Sequence, residues 1–158
     1  MVTNIWKRIR RLEWPIFLLL LFTPLFFYNL GSFSLADFDE AWYADMARNI
    51  LINRQPFLLS FNGLPFTGHP PLGILLISAS FLLFGVSEWS ARLPSAFLGF
   101  GCLVLTYIIG RKIYNPKVGL AASLMLVSSG WFIFRARSGN LDTIFLFFFL
   151  FTLFALFQ

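Results

Sequence analysis

Charge and sulfur are both scarce in this sequence. Its 158 residues hold twelve Lys and Arg and seven Asp and Glu, so only 12% are charged, where soluble domains carry about 25%. A single cysteine, Cys102, allows no internal disulfide, and a single histidine, His69, leaves no second histidine for a zinc site. Apolar residues, by contrast, make up 58% of the chain, and the 22 phenylalanines are too many to hide inside one core of this size. These figures exclude disordered, collagen-like and disulfide-stapled classes. They imply a solvent that is largely lipid. The net charge of +5 does not point to nucleic acid, because the basic residues sit between apolar runs and form no stripe with interleaved polar groups.

The first apolar run, Trp14 to Leu30, follows Lys7, Arg8, Arg10 and Arg11 and is flanked by Trp6 and Trp14, as a membrane helix would be. A cleavable signal peptide is the rival, but Phe26-Phe27-Tyr28 fills the place where small residues would mark a cleavage site. Further uncharged runs cover Leu72 to Ser87, Pro94 to Gly110 and Val118 to Phe134, and a last one starts at Thr143 and is still apolar as it nears Gln158. Membrane spans are therefore expected at 14–30, 94–110, 118–134 and 143–158, in one all-α domain over 1–158 that reads as the opening part of a longer chain. Residues 31–93 are the intervening loop. Within it, Asp39 to Asn53 lacks proline and glycine and reads as a short helix along the membrane surface, and Asn62-Gly63 reads as a turn. The segment from Leu72 to Phe84 is short for a span. Counting Lys and Arg on each side leaves its crossing undecided, at seven inside against five outside either way.

Three groups of residues could carry chemistry. Asp37-Phe38-Asp39-Glu40 fits a helix start, with Asp37 as cap and Glu40 three residues on, and equally fits a general base or metal ligand at a membrane rim. His69, in Gly68-His69-Pro70-Pro71-Leu72-Gly73, is either an ordinary loop residue or a donor that two prolines hold at the water–lipid boundary. Asp142, after Arg135-Ala136-Arg137-Ser138-Gly139-Asn140-Leu141, is either a helix N-cap or a functional carboxylate at membrane depth. Arg92, in Arg92-Leu93-Pro94-Ser95, reads more weakly, as an arginine that snorkels to phospholipid headgroups with Pro94 in a first helical turn.

Taken in order, Asp39-Glu40 with Ala41-Trp42-Tyr43-Ala44-Asp45-Met46-Ala47-Arg48, then His69-Pro70-Pro71-Leu72-Gly73, Arg92-Leu93-Pro94-Ser95 and Leu141-Asp142, resemble the polyprenyl-phosphate-sugar-dependent membrane glycosyltransferases. The likeness is to the superfamily of protein O-mannosyltransferases and aminoarabinose–lipid A transferases, and it runs from Phe33 onward. It implies a GT-C-like multi-pass helical bundle in the cell (inner) membrane, whose first extracytoplasmic loop carries juxtamembrane helices. It implies Asp39 as catalytic base, with Glu40 and Asp142 as further acids of the site. Arg135, Arg137, His69 and Tyr43 are the expected donor- or phosphate-binding residues. Family precedent on metal is divided, and Glu40 and Asp142 are the residues that would hold a divalent ion.

The implied reaction moves a sugar from a polyprenyl-phosphate donor to a hydroxyl or phosphate on a lipid, glycan or protein, with inversion at the anomeric carbon. For Asp39 and Asp142 to share a compartment, Leu72 to Ser87 must not cross. The alternative is a non-catalytic membrane module or accessory subunit. In either case these residues alone are expected to be inactive, because the later helices that would complete a lipid-phosphate pocket are absent from them.

Overall fold

The computed structural model describes residues 20–36 and 38–157. The basic cluster from Lys7 to Arg11, Trp6, Trp14 and Asp37 lie outside them, as does much of the first expected span. The described part of that span, residues 20–30, includes a five-residue helix, α1 (Thr23–Phe27), which starts at a proline-containing first turn. α2 (Asp39–Asn53) occupies the bounds expected from sequence, with Asp39 and Glu40 in its first turn, where a helix N-terminus favours negative charge.

A small hairpin follows, β1 (Ser60–Phe61) paired antiparallel with β2 (Leu64–Pro65). Asn62 and Gly63 form its two-residue turn, with φ of 50° and 77°, left-handed values that asparagine and glycine adopt at little cost. Asn49 ties the hairpin to α2 by donating to the Ser60 carbonyl at 3.1 Å. α3 (Pro71–Phe84) is a 14-residue apolar helix, and α4 (Glu88–Ile113) has 26 residues. At 1.5 Å per residue α4 is about 39 Å long, more than a bilayer's apolar core requires.

The helix that contains the 94–110 run starts well before it. The helix begins six residues before Pro94, because Ser87 caps it: its hydroxyl accepts from the Ser90 N–H at 3.2 Å, and the Ser87 N–H donates in turn to the Ser90 hydroxyl at 3.0 Å. Pro94 therefore sits inside the helix, and Arg92 is buried, not snorkelling. The run from 118 to 134 is likewise two helices. α5 (Pro116–Ser128) and α6 (Gly130–Ala136) meet at a 75° bend, made where Ser129 leaves helical geometry and its hydroxyl caps α6. Finally, α7 (Asp142–Leu156) begins one residue before the expected run. Among the described residues, α4 alone is long and apolar enough to cross a membrane; α5 with α6 passes the same test as a bent pair, and α3 and α7 are shorter apolar helices.

α4 is the hub, packed against α1, α3, α5, α6 and α7. Its closest approach to α5 is glycine on glycine: a Cβ on Gly110 would lie 2.7 Å from the Gly119 Cα, and one on Gly119 would lie 2.5 Å from the Tyr107 carbonyl oxygen. Two apolar clusters result. One gathers Met46, Ala47, Ile74, Ile77, Phe81 and Ala91; the other gathers Phe26, Cys102, Leu103, Val127, Phe132 and Ala136. The turn 137–141 steps from the second cluster, through Ala136, to the first, through Leu141.

Candidate active site

Three helix ends meet at this turn. Asp39 comes from the N-terminus of α2, Arg135 from the last turn of α6 and Asp142 from the first turn of α7. Arg135 Nη2 bonds Asp142 Oδ2 and lies 3.7 Å from Asp39 Oδ2, so one guanidinium serves two carboxylates. The acids themselves are open to solvent, at 54% and 70% side-chain exposure, while the arginine between them is 22% exposed.

Asn140 joins two of these ends. Its side-chain oxygen accepts from the Asp142 and Thr143 N–H groups at 3.0 and 3.4 Å, and its amide nitrogen donates to the Arg135 carbonyl at 2.6 Å. The capping role considered for Asp142 thus falls to Asn140, leaving the Asp142 carboxylate free to face Arg135. Ser95, from α4, donates to the Asn140 carbonyl at 2.8 Å.

Tyr43 is one helical turn on from Asp39. Its hydroxyl lies 3.5 Å from His69 Nε2, and the two rings meet edge-on with centroids 5.4 Å apart. Phe66 is the other ring neighbour of His69, with centroids 5.6 Å apart. Burial pushes the Tyr43 hydroxyl above its ordinary value, the charges of Asp39 and Asp142 push it further, and Arg135 opposes them. Tyr43 therefore keeps its proton and is a donor.

Glu40 and Arg92 are engaged elsewhere. Glu40 Oε1 accepts from Arg92 Nε at 3.0 Å and the Gly139 N–H at 2.6 Å; Oε2 accepts from Arg92 Nη2 at 2.9 Å and the Ala36 N–H at 2.8 Å. The other N–H groups of Arg92 donate to the carbonyls of Leu30, Phe33 and Ser34 at 2.9 to 3.0 Å. All five guanidinium donors are used. Burial raises the Glu40 carboxyl, but the bonds from Arg92, Ala36 and Gly139 and the charge of Arg92 outweigh it, and the group lies below its ordinary value of 4.5. This latch binds the 30–36 loop, α2, α4 and the 137–141 turn at one point.

Arg137 donates to the carbonyls of Leu25 and Tyr28 at 2.8 and 2.7 Å, closing the end of α1. Of the two residues considered for a divalent ion, Glu40 has each carboxylate oxygen taken by two donors, while Asp142 faces Arg135; among the described residues no three of His, Cys, Asp and Glu converge.

Two cavities flank the Arg135–Asp142 pair. One, of about 570 Å³, is lined by Asp39, Arg135, Arg137, Phe33, Phe38 and Phe134 among others. The second, about 600 Å³ and more apolar, is lined by Tyr43, His69, Asp142, Leu72, Phe145 and Phe148 among others. The structure thus brings Asp39, Asp142 and Arg135 into contact and places Tyr43 and His69 in the cavity beside them. Glu40 and Arg137 act instead as ties to neighbouring segments. Ser95, Gly139 and Asn140 were not singled out from sequence; for Asn140 the signal existed, since asparagine is a preferred residue just ahead of a helix.

Residues 68–158 match the dolichyl-phosphate-mannose-protein mannosyltransferase family. The polyprenol-phosphate-mannose–protein mannosyltransferase of Mycobacterium tuberculosis is 34% identical over 133 residues, 82% of this chain and 25% of that protein. The undecaprenyl phosphate-α-4-amino-4-deoxy-L-arabinose arabinosyl transferase of Pseudomonas savastanoi pv. phaseolicola is 30% identical over 80% of this chain and 23% of its own length. The chain therefore spans about a quarter of the length of these relatives. The crystal structure of ArnT from Cupriavidus metallidurans bound to undecaprenyl phosphate superposes with a TM-score of 0.76 at 22% identity, over 83% of this chain and 24% of that one. With a family match over more than half its residues and a helical arrangement shared with ArnT, the chain belongs to the dolichyl-phosphate-mannose-protein mannosyltransferase family.

Proposed function

We propose that the full-length protein is a multi-pass glycosyltransferase of the cell (inner) membrane that moves a sugar from a polyprenyl-phosphate donor to a hydroxyl or phosphate acceptor on the extracytoplasmic side. The observation that carries this is the meeting of Asp39 and Asp142 on Arg135, between an apolar cavity edged by Tyr43 and His69 and a more polar one edged by Arg137. The relatives' names supply the donor class: undecaprenyl phosphate-aminoarabinose in one, polyprenol-phosphate-mannose in the other. An exterior carrying Leu82, Leu83, Phe145, Phe149 and Phe151 in the open supports a lipid setting, since water-soluble surfaces avoid large apolar patches.

In this scheme the donor lies in the apolar cavity, its phosphate near Tyr43 and His69, and the acceptor enters from the side of Asp39. Asp39 takes the proton of an acceptor hydroxyl as its oxygen attacks the anomeric carbon. The bond from that carbon to the phosphate oxygen breaks, its electron pair stays with the polyprenyl phosphate, and a single displacement inverts the sugar. Glu40 is a positioning residue: through Gly139 and Arg92 it fixes where Asp39 stands relative to the turn carrying Arg135 and Asp142. Asp39 and Asp142 share the extracytoplasmic side, with α3 lying at the interface or re-entering.

The test is transfer of radiolabelled sugar from a polyprenyl-phosphate donor by the full-length protein in proteoliposomes. Asp39→Asn should lower turnover by about 100-fold or more, the usual contribution of a positioned general base, with insertion and thermal stability unchanged. Asp39 stands in the first turn of α2 and the helix start has no side-chain cap bond, so a neutral amide of the same shape leaves the helix intact, and retained turnover would remove Asp39 from the base role.

A further inference from the structure

We propose that Arg135 is a travelling counter-ion: Asp39 and Asp142 hold it in the resting site, and the departing polyprenyl phosphate takes it over as the sugar leaves. This rests on the function proposed above. Its ground is the difference among three arginines around one turn. Arg92 is fixed by five bonds and Arg137 by two carbonyls of the α1 end, whereas among the described residues the Arg135 side chain holds only the two carboxylates. Arg135 is the one whose partners can change without opening the fold.

The chemistry supplies a reason for the change. Before transfer, Asp39 carries one negative charge and the donor, a phosphodiester, carries another. As the acceptor O–H bond breaks, its proton neutralises Asp39; as the sugar–oxygen bond breaks, the electron pair it leaves gives the phosphate a second negative charge. Total charge is unchanged, but one unit has moved from the carboxylate to the phosphate. A guanidinium 3.7 Å from Asp39, with donors on both edges, can follow that charge and stabilise it more strongly after the transition state than before. Asp142 opposes this, because it competes for the same guanidinium from an exposed position at the first turn of α7. It keeps Arg135 at the site between turnovers and weakens its grip on product, which must leave.

The experiment measures binding of undecaprenyl phosphate, without sugar, to the full-length protein in nanodiscs by isothermal titration. Arg135→Gln should weaken binding by about ten- to a hundred-fold, the worth of a lost charge-assisted bond, with Arg135→Lys between it and wild type. Asp142→Asn should tighten binding several-fold, and that gain should largely vanish in the Arg135→Gln background. A purely structural role for the cluster predicts the opposite sign for Asp142→Asn. If wild type binds and Arg135→Gln binds equally well, or if Asp142→Asn leaves binding unchanged or weaker, the proposal is overturned while the transferase function stands. If wild type fails to bind undecaprenyl phosphate, both are overturned. Should Arg135→Gln not fold, Asp142→Asn decides alone.

Discussion

Arg92→Leu isolates what the buried latch contributes. The substitution removes two bonds to Glu40 and three to loop carbonyls, and it leaves the Glu40 carboxylate, 6% exposed, with only the Ala36 and Gly139 N–H groups. Breaking a buried ion pair from one side costs about 3–5 kcal/mol. At about 2–4 °C per kcal/mol for a domain of this size, the midpoint should fall by roughly 6–20 °C. The assay is thermal unfolding of purified protein in detergent, followed by tryptophan fluorescence, across a pH series. In wild type the Glu40 carboxyl lies below its ordinary 4.5, so its contribution is complete above that value and is lost as pH falls through the lower folded one. In Arg92→Leu, burial acts with its main opponent gone and moves the same carboxyl upward, so the penalty grows as pH rises and fades on acidification. The gap between the two proteins should therefore narrow toward acid pH. Glu40→Leu/Arg92→Leu should be less damaged than Arg92→Leu alone, because no unpaired charge remains. A shift under about 2 °C, or a gap that widens toward acid pH, would refute the reasoning.

Two other perturbations test the frame. Gly119→Val places branched carbon where the Tyr107 carbonyl and the Arg111 backbone already stand, and should cost about 1–3 kcal/mol by forcing α4 and α5 apart, read as a lower unfolding midpoint, whereas Gly130→Ala, with nothing within 4 Å of its Cβ, should be silent. For topology, single cysteines at Asn62 and Ser138 in a Cys102→Ser background should both react with an impermeant thiol reagent added outside. One at Asn115, beyond the far end of α4, should not; labelling there would invert the proposed arrangement.

The sequence made α2 legible because its local signals agree: no proline or glycine between Asp39 and Asn53, and acids in the first turn. The start of α4 was hidden by treating charge as a boundary. Glu88 and Arg92 interrupt the apolar run, yet Arg92 is neutralised inside the protein by a partner 52 residues away, and no local pattern announces that. The bend before Gly130 escapes for the opposite reason: the run from 118 to 134 carries no charge through it, and only Ser128-Ser129-Gly130, with the Ser129 cap, marks the break. Likewise Glu40 looks like its neighbour Asp39 until the Gly139 N–H, 99 residues on, is placed against it. Resemblance could name the acids of the motif; only geometry separates the exposed one from the buried one.

Asn140 has a consequence for how this molecule ages and moves. Its planar amide faces two N–H groups with its oxygen and two carbonyls, of Arg135 and Ser138, with its nitrogen, so the orientation admits no exchange of the two ends. Aspartate has nearly the same shape but would turn an acceptor toward those carbonyls. Hydrolysis of that amide would thus lose the bonds from its nitrogen to the Arg135 and Ser138 carbonyls and loosen the link between α6 and α7. While the amide is intact, the two helix ends behave as one rigid piece: Arg135 cannot be displaced by a shift of α6 without carrying Asp142 along. Any change of partner at Arg135 must come from rotation of its own side chain, a motion fast enough to keep pace with each turnover.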